Sequence, residues 1–474
     1  MLFALYSSYT LVRHARMESN GFDLGIFDQA VRAYSQFRAP VSELKGPGFN
    51  VLGDHFHPAL ALLAPLYWIH PDPVTLLITQ AALFAVAAVP VTALAIEVCG
   101  QRAGIAIGLA YGLSAGIQQS VRFDFHEIAL AVPLIAFSVA NLARRRWVPA
   151  VAWALPLMLV KEDQAIYVAA LGGYLILQGK RALGVTIMST AVLAAILSIF
   201  LIVPAFSPGG DYGYLQSGTL NEQGAIARLF TPLVKWGTIF SLLAPTLFIA
   251  IRSPLILLAA PTILARFWAS NEGYWGTGFH YNSVLIPVIF VAFIDGLGRL
   301  DGATPPRLIE RINISRQPWR FAAPAALAIA VVVTMSGQPL WQLTDFEQWR
   351  ISPQIQAARA TLAVIPDGAD VAAANRLAPQ LTARTTVYLF PDQPSDSLQP
   401  EWVAIKEDPD NWPVSSREHR IRASKLTEYG YQEVARGGGV IVLRLPPEMG
   451  RRGSATLGGG VEPGGDSRGP SIAQ

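Results

Sequence analysis

Residues 147–177 read WVPAVAWALPLMLVKEDQAIYVAALGGYLIL, an apolar run of 31 residues with Lys161, Glu162 and Asp163 near its centre. As one straight helix this run would be about 46 Å long, which exceeds a hydrocarbon layer of about 30 Å. Divided at the charged triplet, each half is too short to cross. An isolated charge at mid-bilayer costs about 2.5–3.5 kcal/mol. The pattern therefore predicts a helix broken below the membrane surface, with charges that bind substrate in a cavity or pair between helices.

Apolar runs of similar character recur before about residue 337. The chain of 474 residues is 52% hydrophobic and 15% charged, with a mean hydropathy of +0.37, whereas soluble domains contain about 25% charged residues. The sequence therefore predicts an all-α polytopic membrane protein with about eleven spans. The candidate spans are 1–13, 74–99, 102–119, 127–143, 147–160, 164–177, 182–203, 233–251, 253–268, 281–297 and 320–337.

The first candidate span is too short to cross a bilayer, so either this helix is half-length or, as we expect, the annotated start has lost several residues. A single cysteine, Cys99, excludes a disulfide framework and a cysteine-based zinc site. The basic residues lie in short loops rather than in one patch, so no nucleic-acid partner is expected.

The distribution of lysine and arginine predicts the topology. The loops 141–147, 178–182 and 299–320 are the richest in these residues, and the positive-inside rule assigns them to the cytoplasm together with the N-terminus. The apolar segment 58–69 is too short to span and is expected to lie in the outer leaflet. The outward-facing loops are then 14–73, 120–127, 161–163, 204–232 and 269–280.

After residue 337 the composition changes. Short β-prone runs alternate with helical stretches over 338–446, which predicts a small extracytoplasmic α/β domain. The Gly-rich segment 447–474 is expected to be disordered.

The outward loops carry most of the unusual ionisable and aromatic residues, whereas the cytoplasmic loops are plain basic connectors. These residues are candidates for substrate binding, and caps, interhelical ion pairs and a membrane-interface aromatic belt are the structural alternatives. Together with the central triplet, the candidates are Arg122, Asp124, His126, Glu127, Glu272, Trp275 and His280.

The decapeptide GFDLGIFDQA at 21–30 places Asp23 and Asp28 in the first outward loop. Asp23 could cap a helix over 24–35, with Phe22 and Phe27 as a hydrophobic staple. Capping would leave Asp28 unexplained. Both aspartates are therefore candidates for catalysis as well.

The segment GDHFHP at 53–58 sets His55 and His57 two residues apart, as metal ligands often are. These histidines are candidates for metal binding, although two histidines and an acid do not make a complete site. Neutral polar packing is the alternative.

Several segments, in order along residues 22–445, resemble an uncharacterised family of bacterial membrane proteins, domain of unknown function 2079. They are FDLGIFDQA, GDHFHPALALLAPLYWIHPDPVTLLITQA, FDFHEIALAVPL, LVKEDQAIYVAA, VPAFSPGG, HYNSVLIPVIFVA and VAAANRLAPQLTAR. The layout is similar to that of the C-type (GT-C) glycosyltransferases, which combine many spans, an acidic motif in the first outward loop and an outer C-terminal domain.

That resemblance implies a sugar transferase in the bacterial cytoplasmic membrane that uses a polyprenyl-phosphate-linked sugar. Asp23 would be the general base or a ligand of Mg²⁺ or Mn²⁺, with Asp28 second. Lys161 or Arg122 could bind the lipid phosphate instead of a metal. A lipid or solute transporter and a non-catalytic assembly or sensor protein are the alternative functions.

Overall fold

The computed structural model describes residues 1–214, 225–301, 317, 319–395 and 397–446, and these are mostly helical. The α-helices are α1 (Leu2–Ala15), α2 (Ile26–Ser35), α3 (Ala64–Ile69), α4 (Pro73–Cys99), α5 (Gln101–Gly112), α6 (Ala115–Arg122), α7 (Ala131–Ala143), α8 (Trp147–Ala154), α9 (Ala165–Leu177), α10 (Arg181–Leu197), α11 (Val203–Phe206), α12 (Ala225–Phe230), α13 (Val234–Leu243), α14 (Ala260–Trp268), α15 (Leu285–Asp301), α16 (Trp319–Met335), α17 (Pro353–Leu362) and α18 (Ser416–Lys425).

Three helices in the described part of the chain are long and apolar enough to cross a membrane, namely Pro73–Cys99, Arg181–Phe206 and His280–Leu300. The predicted number of about eleven spans is not confirmed. The other apolar helices that qualify by composition are shorter, 10–17 residues each. They are Pro58–Ile69, Glu127–Ala143, Trp147–Leu159, Pro254–Trp268 and Trp319–Met335.

Two predicted spans are interrupted. The span expected over 102–119 is divided into α5 and α6. The span expected over 233–251 ends as an α-helix at Leu243, because Pro245 follows and Leu247 and Phe248 adopt left-handed backbone conformations. A proline lacks the N–H that an α-helix needs, and two left-handed residues reverse the helical backbone, so the α-helix ends here.

The predicted break at the charged triplet is confirmed. Helix α8 passes into a 3₁₀ turn over Leu155–Leu159, which contains Pro156. Lys161 then has an extended backbone, with φ −164° and ψ 144°, and a second 3₁₀ turn over Glu162–Gln164 leads into α9. The extended residue separates the two apolar halves and exposes the triplet to neighbouring elements.

The chain divides into two compact units. The helical unit contains residues 1–10, 52–62 and the described residues of 77–345. The sheet unit contains residues 11–51, 63–76 and the described residues from 346 onward. The division therefore groups most of the first predicted outward loop with the C-terminal domain, rather than cutting the chain once near residue 337.

The sheet unit contains a five-stranded sheet in the order β2-β1-β3-β5-β4. Strand β1 pairs in parallel with β2 and β3, whereas β5 runs antiparallel to β3 and β4. The strands are β1 (Asp370–Ala373), β2 (Thr386–Leu389), β3 (Trp402–Lys406), β4 (Gln432–Gly437) and β5 (Val440–Arg444). The α/β character expected over 338–446 is confirmed, whereas the predicted tail 447–474 lies outside the described residues.

Candidate functional site

A cavity of about 300 Å³ lies within the helical unit. Residues from four of the predicted outward loops line it, and aromatic and ionisable side chains predominate. The polar and aromatic lining residues are His55, Lys161, Glu162, Asp163, Gln164, Tyr212, Tyr214, Arg266, Trp268, Tyr274, His280 and Tyr281. The structure thus brings together loops that lie far apart along the chain.

Lys161 is held by a buried carboxylate. Its Nζ lies 2.9 Å from Oε1 of Glu127, whose side chain is almost fully buried. The other oxygen of Glu127 lies 2.5 Å from Nδ1 of His126. Burial lowers the pKa of Lys161, but Glu127, Asp163 and Glu162 together raise it well above its ordinary value. Lys161 therefore stays charged at the wall of the cavity.

Glu162 forms a second buried ion pair. Its Oε1 lies 2.6 Å from Nδ1 of His55, and it accepts hydrogen bonds from the Tyr212 hydroxyl (2.8 Å) and the Phe56 amide (2.8 Å). Burial raises the pKa of Glu162, but His55 and these donors lower it to about 2. Burial and Lys161 lower the pKa of His55, but Glu162 and Asp54 reverse this and raise it. The pairing therefore favours the charged form of both members.

Asp163 differs from its two neighbours because its side chain is exposed and lines the cavity. One carboxylate oxygen accepts a hydrogen bond from the side chain of Gln164 at 2.9 Å. A carboxylate that keeps exposed surface inside a cavity can accept hydrogen bonds from a polar ligand.

Arg266 is a buried cation whose guanidinium donates only to neutral oxygens in the described residues. The acceptors are the carbonyls of Tyr274 (2.7 and 3.0 Å), Gly276 and Tyr281 and the side-chain oxygen of Asn282 at 2.8 Å. Arg266 therefore fixes the loop that contributes Tyr274, Tyr281 and His280 to the cavity. The ring of His280 in turn stacks on that of His126 at 3.8 Å.

Seven of the polar and aromatic lining residues lie outside the set predicted from the sequence, and three of the seven fix other residues of the cavity. Tyr214 stacks on His55 with ring centroids 4.5 Å apart and donates to Asp54 at 3.1 Å, and Tyr212 binds Glu162. Arg266 is the third. Arg266 could have been found in the sequence as a cation inside an apolar segment, because such a residue is by default a candidate for function. The signal for the tyrosines was an aromatic pair in the outward loop 204–232.

His55 and His57 are not part of a cluster of metal-binding side chains in the described part of the chain. Within the ranges that the structure covers, no group of three or more His, Cys, Asp or Glu side chains is arranged to hold a metal ion. His55 faces Glu162, and burial lowers the pKa of His57 to about 4, so His57 is neutral at pH 7. A cation bound by Asp23, His55 and His57 stays a prediction.

Asp23 lies in the sheet unit, in a π-helical turn over Gly21–Gly25 that leads directly into α2. The residue is 3% exposed. The residue at the N-cap position is Asn20, so the interpretation of Asp23 as a helix cap is wrong, because the helical turn begins earlier than the sequence suggested. Short π-helical segments occur frequently at functional sites.

Asp28 lies in the first turn of α2 and has well-defined structural partners. Its carboxylate accepts a hydrogen bond from the Tyr67 hydroxyl at 2.6 Å and pairs with Arg32 at 3.2 Å. Burial raises the pKa of Asp28, and Arg32 and Tyr67 oppose that shift. These contacts give Asp28 a structural role, which helix capping by Asp23 did not provide.

The remaining candidates do not line the cavity. Arg122 and Glu272 are exposed. Asp124 is buried with φ 59°, and its carbonyl accepts from Gln80. The ring of Trp275 lies 4.1 Å from the ammonium of Lys235, and its indole N–H donates to Ala269, so Trp275 is engaged in packing.

The fold is similar to that of ArnT, a GT-C glycosyltransferase. The structure of ArnT from Cupriavidus metallidurans bound to undecaprenyl phosphate matches with a TM-score of 0.59 and 14% identity, covering 94% of this chain and 98% of that one. The apo structure matches with a TM-score of 0.52 and 13% identity over the same shares of the two chains. At this identity the likeness establishes the fold, and the expected GT-C-like layout is confirmed.

No curated protein matches the chain in sequence. A family model described as "predicted membrane protein (DUF2079)" matches residues 13–442, which is most of the chain. The resemblance expected from the sequence motifs is confirmed, and the chain belongs to the DUF2079 family of predicted membrane proteins.

Proposed function

We propose that the protein is a membrane glycosyltransferase that moves a sugar from a polyprenyl-phosphate donor to an acceptor at the outer face of the cytoplasmic membrane. One observation carries this proposal. Four loops predicted to face outward meet at one cavity that contains a charged lysine and an exposed carboxylate. The ArnT-like fold supports the class, since ArnT has been solved with a polyprenyl phosphate bound.

In this reaction the cavity binds the donor head group. Lys161 provides a fixed positive charge for the donor phosphate, and Glu127 holds it in place from the buried side. Asp163 accepts hydrogen bonds from sugar hydroxyls, and the aromatic rings of Tyr212, Tyr214 and Tyr274 offer faces and hydroxyls to the sugar. The ion pair of Glu162 with His55 keeps the triplet in one orientation.

Asp23 is the proposed general base, by its likeness to the acidic motif of the C-type enzymes. It takes the proton of the acceptor hydroxyl, whose oxygen forms the new bond to the anomeric carbon. The bond from that carbon to the phosphate oxygen breaks, and the polyprenyl phosphate leaves with the electron pair. A divalent cation would neutralise that phosphate when bound. No step above requires it, because Lys161 supplies positive charge.

The proposed partners are membrane lipid and the polyprenyl-phosphate-linked sugar, without nucleic acid. The proposed topology places the N-terminus in the cytoplasm and residues 338–446 outside. Labelling of single cysteines by a membrane-impermeant maleimide tests this topology in a Cys99→Ala background. Labelling of a cysteine at Asp367 from the cytoplasmic side alone would overturn it.

The function is tested with the purified protein in nanodiscs and a panel of polyprenyl-phosphate sugars, with and without Mg²⁺ or Mn²⁺. We expect turnover that falls about 100-fold or more in Asp23→Asn, as expected on removal of a general base. The matched control is Asp367→Asn, an aspartate of the sheet unit with a side chain 83% exposed, which should behave as wild type.

Other outcomes separate the alternatives. Turnover that Asp23→Asn leaves unchanged would retain the enzyme and remove Asp23 from catalysis. Turnover that disappears with a chelator and returns with Mn²⁺ would assign a metal to the reaction. A folded protein without turnover from any donor, but with solute or lipid flux across proteoliposomes, would identify a transporter, and neither activity would favour an assembly role.

A further inference from the structure

The parallel part of the sheet contains a position at which ligands commonly bind. Strand β1 lies between β2 and β3, so the chain leaves β1 toward one side and returns on the other. In open α/β sheets, ligands bind outside the carboxyl ends of the strands at such a switch point. Here Asn375 follows the end of β1, and Trp412 follows β3. These two residues border a small crevice at the switch point.

The crevice is occupied by the turn that carries Asp23. The carbonyl of Asn375 accepts from the amide of Gly21 at 2.8 Å, and its side-chain oxygen accepts from the amide of Phe22 at 2.8 Å. The side-chain amide donates to Oδ1 of Asn20 and to the carbonyl of Trp412, both at 3.2 Å. Asn375 is 5% exposed, so these bonds are shielded from water.

Close packing accompanies these hydrogen bonds. A Cβ atom added to Gly21 would lie 2.5 Å from the Cβ of Ala378 and 3.1 Å from the carbonyl oxygen of Asn375. No side chain larger than hydrogen therefore fits at position 21 without movement. The ring of Phe22 meets that of Trp412 edge-on, with centroids 5.8 Å apart. The residues on the N-terminal side of Asp23 are thus fixed to the sheet by both packing and hydrogen bonds.

We propose that Asn375 is a positioning residue that sets the orientation of Asp23 for proton transfer. The proposal rests on the glycosyltransferase function proposed above. The side-chain oxygen of Asn375 binds the amide of Phe22, which immediately precedes Asp23, so loss of this bond would let the backbone rotate at the point from which the carboxylate extends. A misplacement of about 1 Å can cost about 100-fold in rate.

The first test compares Asn375→Ala and Asn375→Asp with wild type in the nanodisc assay. Asn375→Ala should lower kcat by about 10- to 100-fold and change KM for the donor less than about threefold, because the variant affects orientation rather than donor binding. Asn375→Asp keeps the oxygen that accepts from Phe22 and loses the two donated bonds, so its kcat should be intermediate.

The second test uses the glycine contact. Gly21→Ala should lower kcat as Asn375→Ala does, and the double variant Gly21→Ala/Ala378→Gly should recover at least threefold, because it removes the 2.5 Å contact. The matched control is Gly173→Ala in α9, where an added Cβ meets nothing within 4 Å, and it should keep the wild-type kcat.

Hydrogen exchange at Gly21 and Phe22 gives a readout independent of activity. In wild type both amides should exchange slowly. In Asn375→Ala exchange should become faster at Phe22, which loses its acceptor, and change less at Gly21, which keeps the backbone carbonyl of residue 375. The amides of β1 and β3 should stay protected, which shows that the sheet is folded. Wild-type kcat in folded Asn375→Ala would overturn the positioning role and leave the proposed function intact. Absence of turnover in wild type, with slow exchange at both amides, would overturn the function and with it this role of Asn375.

Discussion

Two groups of buried charge in this protein are held in different ways. In the helical unit, the triplet Lys161–Asp163 forms ion pairs with residues distant in sequence, and one of its three charges keeps exposed surface in a cavity. In the sheet unit, Asp28 pairs with Arg32 one helical turn away and with Tyr67, and its side chain is fully buried. A ligand can contact the exposed carboxylate of the first group, whereas Arg32 and Tyr67 already bind the carboxylate of the second.

The largest expected effect on stability tests the distant pairing. Glu127→Gln leaves the ammonium of Lys161 buried against a neutral amide and should lower the free energy of unfolding by about 3–5 kcal/mol, measured by denaturant titration in detergent. The double variant Glu127→Gln/Lys161→Met should recover most of that loss. The control Glu272→Gln changes an exposed carboxylate and should cost less than about 0.5 kcal/mol. A double variant no more stable than the single one would contradict the coupling.

The second prediction compares the two aspartates directly. Asp28→Asn should cost about 1–3 kcal/mol of stability, because Arg32 and Tyr67 lose a charged partner, and should leave kcat within about threefold. Asp163→Asn should cost less than about 0.5 kcal/mol and lower turnover by about 10-fold or more, because its exposed carboxylate contacts the ligand. If both changes affected stability alone, the distinction between the two groups would fail.

The third prediction concerns pH. The pKa of His55 is raised above its ordinary 6.5, so its ion pair with Glu162 stabilises the folded protein fully below about pH 6.5 and is lost as the pH rises through the folded pKa. The stability difference between wild type and Glu162→Gln should therefore shrink as the pH rises from 6 to 9. Because the pKa of Glu162 is about 2, the pair should also weaken as the pH falls below about 4.5. In a His55→Gln background the stability difference should no longer change at high pH. If the change persisted in that background, it would arise from a group other than His55.

The smallest expected effect concerns an aromatic residue outside the cavity. Trp275→Phe weakens the contact with Lys235 and removes the hydrogen bond to Ala269, so it should cost about 1 kcal/mol of stability. KM for the donor should stay within about twofold of wild type in the same assay. A rise of tenfold or more would restore Trp275 as a substrate-binding residue.

Local features were the most predictable from sequence. The break at Lys161 was predictable because hydrophobic length and the cost of buried charge are properties of the segment itself. The strands β1–β5 followed from short β-prone runs, but their order did not, because it depends on pairing across the whole domain. The partners Glu127 and His55 could be proposed as site residues, yet nothing in one sequence specifies which acid meets which cation.

The turn at 20–25 shows why local reasoning failed in one place. Asp23 is a favourable N-cap residue by propensity, but Asn375 binds the amides of Gly21 and Phe22 and the helical turn begins before Asp23. A tertiary contact thus replaced the local cap. The same contact could not be foreseen, because Asn375 lies 353 positions away from Phe22 in the sequence.

The ion pairs of the triplet also impose an order on biosynthesis. Glu127 and His55 leave the ribosome before Lys161 and Glu162, so the buried acid and histidine lack these partners until the triplet has been made. Tyr212, which binds Glu162, follows later still. Nascent chains that end before residue 161 should therefore be substrates of membrane proteases, whereas chains that extend past the triplet can close this part of the helical unit. The triplet divides one apolar run in the folded protein. During translation, its synthesis also gives the preceding segments their ion-pair partners.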